Sequence, residues 1–118
     1  MLASLSVALC FTGCTPDGDA RKLAEKFLKT NLAENDIKIV SFGKLDSTRF
    51  VTDSVVFDLR TAAYKSHLFV DEMKYEEQRV PAKLLYLPVT YRNSEGDTVR
   101  QTIYMDEAFS WVVAVKQN

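Results

Sequence analysis

Histidine occurs once, at His67, and glycine four times, scattered at Gly13, Gly18, Gly43 and Gly96. A single histidine excludes a histidine cluster for zinc, and no metal or other cofactor is expected. It also leaves a Ser-His-Asp arrangement with one possible base, and no Gly-x-Ser-x-Gly turn is present to display a nucleophile. His67 is therefore read as a turn or solvent-exposed residue. The scattered glycines exclude a phosphate-cradling loop. Charge of one sign is missing as well: fifteen Lys and Arg against sixteen Asp and Glu give a net charge of −1. Without a long-range positive field, nucleic acid is not an expected partner. Adjacent acids stand at Asp71-Glu72, Glu76-Glu77 and Asp106-Glu107. Neighbours in sequence lack the opposed geometry of glycoside hydrolysis, so these acids read as solvated loop and turn charges.

Charge is also absent from the whole N-terminal stretch, since every Lys, Arg, Asp and Glu lies beyond Thr15. Leu2 to Phe11 is an apolar run of the length of a secretory h-region, and it is too short to cross a hydrocarbon core, which takes about 20 residues. The end of this run, Phe11-Thr12-Gly13-Cys14, resembles the lipobox of bacterial lipoproteins, in which a small residue precedes the modified cysteine. Cys10 does not fit, because Leu9 in front of it is bulky. Phe11 stands where Leu is usual, and the missing Lys or Arg ahead of the run fits a start upstream of Met1. The resemblance implies a signal peptide over residues 1–13, lipid attachment at Cys14 and a tether over residues 14–19. Each buried methylene contributes about 0.8 kcal/mol, so two or three acyl chains anchor a protein essentially permanently. Thr15 after the cysteine, in place of an inner-membrane Asp, points to the outer membrane of the cell envelope, and Asp17 and Asp19 resemble an acidic surface-export cue. A Cys10–Cys14 disulfide, or two inert thiols, is the alternative reading of the two cysteines.

Residues 20–118 have the size and the apolar content, 47% for the whole chain, of a single domain. Ala20, Leu23, Ala24, Phe27 and Leu28 recur at helical spacing, with Asp17 or Asp19 as the expected cap and residues 31–36 as the stop. Ile37 to Phe42 reads as a short strand whose apolar phase changes between Ile39 and Val40, as at a bulge. Between Thr52 and Lys74 a helix beginning near Asp53 is favoured, carried by Val55, Leu59, Ala62 and Ala63, although Val55-Val56-Phe57 also suits a strand. Lys74 to Pro81 reads as a loop. Leu84–Arg92, Thr98–Met105 and Phe109–Lys116 form an antiparallel meander. Parity of the apolar positions sets the register. It pairs Tyr91 with Val99, Leu87 with Ile103 and Leu85 with Met105, then Met105 with Phe109 and Ile103 with Trp111. Gln101 then sits between Val89 and Val113 as the polar exception on an apolar face. The opposite, wetter face carries Tyr86 and Tyr104.

The expected fold is α+β, with an N-terminal helix packed on an antiparallel sheet and a C-terminal three-strand meander. That order resembles cystatin-like and NTF2-like folds. The chain is also similar to a group of small lipoproteins of Bacteroidota-type bacteria. The likeness is carried by Ala24-Glu25-Lys26-Phe27-Leu28, by Ser41-Phe42-Gly43-Lys44-Leu45-Asp46-Ser47-Thr48 and by Thr102-Ile103-Tyr104-Met105-Asp106. The group has no assigned activity, so no catalytic residue is carried over. The expected function is a lipid-anchored binding or assembly module, in contact with the membrane through Cys14 and with a protein or small ligand through its folded part. Tyr86, Tyr104 and Arg100 are the candidate recognition surface. The alternative is a small-ligand or NTF2-like enzyme domain with a pocket between helix and sheet, for which Asp58 and Gln101 are the candidate polar residues.

Overall fold

The computed structural model describes residues 15–34 and 36–118. The expected signal segment and the expected lipid site Cys14 lie outside the described residues. Helix α1 spans Pro16–Asn31 and buries Ala20, Ala24 and Leu28, one residue per turn, with Leu23 and Phe27 half-buried beside them. Its cap is Thr15 and neither aspartate: the Thr15 hydroxyl accepts the Gly18 amide at 3.2 Å, and Pro16 takes the first helical position. Asp17 and Asp19 sit in the first turn, where they complement the helix dipole. The expected tether is thereby corrected, because residues 16–19 belong to the helix.

Strand β1 is Lys38–Phe42, and the ladder slips at Val40 as its apolar phase change indicates. Strand β2, Asp46–Thr48, pairs with the same neighbour as β1, namely β3, Leu84–Arg92. Pro88 explains why one edge of β3 carries two short partners. It has no amide hydrogen to donate, and its carbonyl accepts the Gly43 amide, at 2.8 Å, at the break between β1 and β2. A Cβ on Gly43 would stand 2.8 Å from Pro88 Cβ, so the close crossing requires glycine there.

The sheet continues through β4, Thr98–Met105, to β5, Val112–Gln117, with every pairing antiparallel and the order β1-β3-β4-β5. The β3–β4 register has Tyr91 opposite Val99, Leu87 opposite Ile103 and Leu85 opposite Met105, as parity requires. The β4–β5 register differs from the expectation: Ile103 faces Val115, Met105 faces Val112, and Gln101 faces Gln117 on that side. The cause is the Asp106 side chain. It accepts the amides of Ser110, at 2.7 Å, and Trp111, at 3.0 Å, and the Ser110 hydroxyl also donates to it. Residues 106–111 thus satisfy themselves on one carboxylate, Phe109 adopts a positive φ of 56°, and pairing begins only at Val112. Asp106 is 8% exposed, which corrects the reading of it as a solvated turn charge.

Helix α2, Asp53–Lys65, is capped by Thr52 and excludes the strand alternative for this segment. It buries Val56 and Ala63 against β5, while Val55 and Ala62 face solvent. Two apolar clusters result. α1 covers Leu87, Val89, Ile103, Met105 and Val115 on one side of the sheet. α2 covers Leu84, Trp111, Val113 and Ala114, with Tyr104 half-buried at the margin. From the end of α2 the chain passes to α1, where Leu32 and Phe69 form a bridge and Val70 donates to the Asn31 carbonyl at 2.8 Å. Residues 67–83 are therefore a strap that joins the two helices before returning to β3.

Burial works to raise the Asp106 pKa, but hydrogen bonds from Ser110 and Trp111 outweigh it and hold the group below the usual carboxylate range. A lowered folded pKa means stability that is present above the unfolded value of about 3.9 and lost as pH falls toward the folded value. Asp106→Asn is expected to cost about 2 kcal/mol at neutral pH and to flatten the acid limb of the stability profile. Urea unfolding of both proteins at a series of pH values checks both parts.

Candidate functional site

A groove of about 790 Å³ lies between the C-terminal half of α2 and the strap. Arg60, Ala63 and Tyr64 form its α2 side, and Phe69, Met73 and Tyr75 are prominent on its strap side. A smaller cavity of about 230 Å³ shares Lys74 and Tyr75 and extends to Leu23, Phe27 and Trp111, so Tyr75 is the wall between the two.

Arg60 is placed here by helical spacing. It lies four residues after Val56 and three before Ala63, on the stripe that α2 turns toward β5. Its Nε donates to the Val113 carbonyl at 2.9 Å, and its guanidinium carbon lies 4.0 Å from the centroid of the Tyr75 ring. Arg60 Nη2 and the Tyr75 hydroxyl are both buried without a hydrogen-bond partner. The Tyr75 ring is fixed by two further aromatics, stacked on Phe27 at 6.4 Å and edge-on to Phe69 at 6.4 Å. Desolvation raises the Tyr75 phenol to about 12 against the opposing charge of Arg60, and burial lowers the Arg60 pKa in turn. The groove thus presents a held cation against an aromatic wall. The cation is fixed by the Val113 carbonyl on one side and the Tyr75 ring on the other.

The residues singled out from sequence fall elsewhere. Tyr86 and Tyr104 do face each other, with ring centroids 6.1 Å apart, but Tyr104 is half-buried beside the α2 cluster, and burial and then Tyr86 raise its pKa. Arg100 is exposed further along β4, opposite Thr90. Gln101 is 1% exposed under α1, and its Oε1 has no partner. Its side chain hydrogen-bonds Tyr91, whose pKa is raised first by burial. Asp58 is exposed on α2, so the structure does not bring it together with Gln101, and neither lines the cavities described above. His67 occupies the left-handed position after α2, with φ 55°. The His67 amide donates to Tyr64 and the Leu68 amide to Ala63, closing the helix end as glycine commonly does. Among the described residues no group of three His, Cys, Asp or Glu side chains could hold a metal, and no helix is long and apolar enough to cross a membrane.

Arg60 had a readable signal, a charge on the buried stripe of a helix. Tyr75 had none, since it stands in the charged run from Lys74 to Glu77. In comparisons with known proteins the chain matches no family model, no curated protein and no solved structure.

A raised phenol pKa contributes stability that is complete below the unfolded value of about 10 and is lost as pH rises through the folded value. Tyr75→Phe is expected to flatten that alkaline loss while changing stability at neutral pH by less than about 0.5 kcal/mol, because the hydroxyl it removes is buried and unpartnered. Tyr75→Ala, which removes the ring, is expected to cost about 3 kcal/mol. Urea midpoints near neutral pH and near pH 10 separate the two effects.

Proposed function

We propose that the chain is a lipid-anchored binding module of the bacterial cell envelope, held through acylated Cys14 at the outer membrane and taking up an extended segment of a partner protein along α2. The observation that carries the binding part is the pair Phe57 and Tyr64, which are 69% and 82% exposed. They are seven residues apart and so share one side of α2, and Tyr64 lines the groove that Arg60 and Tyr75 build. Large aromatics beside an immobilised arginine are the residue types that dominate protein interfaces. The lipid anchor is supported by the apolar leader ending in Gly13-Cys14. The α1-on-sheet arrangement supports the likeness to cystatin-like and NTF2-like folds, but fold by itself does not assign function. The small-ligand reading keeps one point in its favour, the volume of the groove, which suits a drug-sized molecule.

The test is a photo-crosslinking side chain placed at Tyr64 in the membrane-bound protein. One discrete protein adduct is expected, reduced about tenfold by Phe57→Ala, an exposed substitution that leaves the core intact. The same probe at Arg100 should give none. No adduct at Tyr64, or one only at Arg100, contradicts the reading.

A further inference from the structure

Thr15 is the cap of α1, so position 14 adjoins the helix directly in sequence. The start of α1 lies at one end of the sheet, since Asp19, Lys22 and Leu23 form a shallow depression with Ala108 and Phe109 of the β4–β5 turn. The segment between β2 and α2 emerges at the same end. Thr48 pairs with Leu84 and Leu85 with Met105, which places residues 49–52 beside residues 81–83 and that turn.

Phe50 stands in this segment, 89% exposed. It is not on a slack loop: its amide donates to the Thr48 hydroxyl at 3.1 Å, and Thr52 caps α2 two residues later. The ring is therefore held out into solvent by a short connection fixed at both ends. This end of the domain mixes charged and apolar groups: Asp17 and Lys22 of α1 are exposed, and Asp19 and Lys22 line the depression beside Phe109. Pro16, Ala82 and Ala108 are exposed, Pro81 and Phe109 are half-buried, and Lys83 is paired with Glu107 at 3.3 Å. Arg49 and Lys44 are offset by Asp46 and Asp53 in the same stretch of chain.

We infer that this end of the domain faces the lipid bilayer and that the Phe50 ring enters its interfacial layer. The inference rests on the tether proposed above. Acyl chains fix a single point and leave the domain free to turn about it. A second apolar contact on the same end removes that freedom, and an aromatic ring is suited to the interface, where the bilayer changes from polar to apolar. The orientation that results is specific. α2 runs away from this end, from Thr52 beside Phe50 to Ser66 beside Gln117, so the part of the groove near Tyr64 and His67 stands off the membrane and stays accessible.

The test uses the native lipoprotein, purified from membranes and reconstituted in phosphatidylcholine–phosphatidylglycerol vesicles whose acyl chains are brominated close to the headgroup. The Phe50→Trp and Tyr64→Trp variants are each compared with the parent, whose buried Trp111 sets the background, and the mass of the N-terminal peptide is read from the same samples. An acylated Cys14, with added fluorescence quenched about twofold in Phe50→Trp and unquenched in Tyr64→Trp, is the expected result. Acylation without quenching of Phe50→Trp overturns the inference and leaves the tether standing, as does equal quenching of both variants. An unacylated amino terminus removes the tether and the inference together.

Discussion

The guanidinium of Arg60 lies between the outermost strand and the ring of Tyr75, and much of the architecture depends on that stack. β5 is the last strand of the sheet, and an uncovered edge is open to pairing with other chains. Arg60 reaches it from α2 and satisfies the Val113 carbonyl. Tyr75 covers the cation from the strap, and Phe27 of α1 covers Tyr75. One contiguous stack therefore links both helices, the strap and the sheet edge. It also divides the two neighbouring cavities, so the feature that closes the fold is the one that shapes the groove.

How far this was legible in the sequence follows from where the controlling interactions are local. Both helices, the bulge at Val40 and the β3–β4 register are set by periodicity and parity, and these can be read from neighbouring residues. The β4–β5 register is not of this kind. Its offset is made by a side chain, Asp106, substituting for a ladder partner of Ser110 and Trp111, and alternation carries no trace of that substitution. The same applies to the α1 cap, where Asp17 and Asp19 are the expected candidates and the proline at the first helical position decides for Thr15. Parity does recover Gln101 as a buried polar residue, yet it places no cavity beside it. The groove arises from the strap, whose course is fixed by contacts distant in sequence, such as that between Leu32 and Phe69.

The fixed cation faces an aromatic wall, and exposed aromatics continue along α2 beyond the groove. The polar groups withdrawn from water near it, Arg60 Nη2 and the Tyr75 hydroxyl, belong to side chains that ionise far from neutral pH, so they do not exchange protons under ordinary conditions. Under the function proposed above, the anchor would lie at one end of the sheet and the groove toward the other.

The central claim is that Arg60 and Tyr75 act as one unit, and a double-mutant cycle tests it most directly. Arg60→Met, Tyr75→Leu and the double variant are compared by urea unfolding at neutral pH. Since the pair is partly desolvated, a coupling energy of about 1–2 kcal/mol is predicted. Additive losses, with coupling near zero, would show that the strap and the strand edge are held independently and would contradict the account.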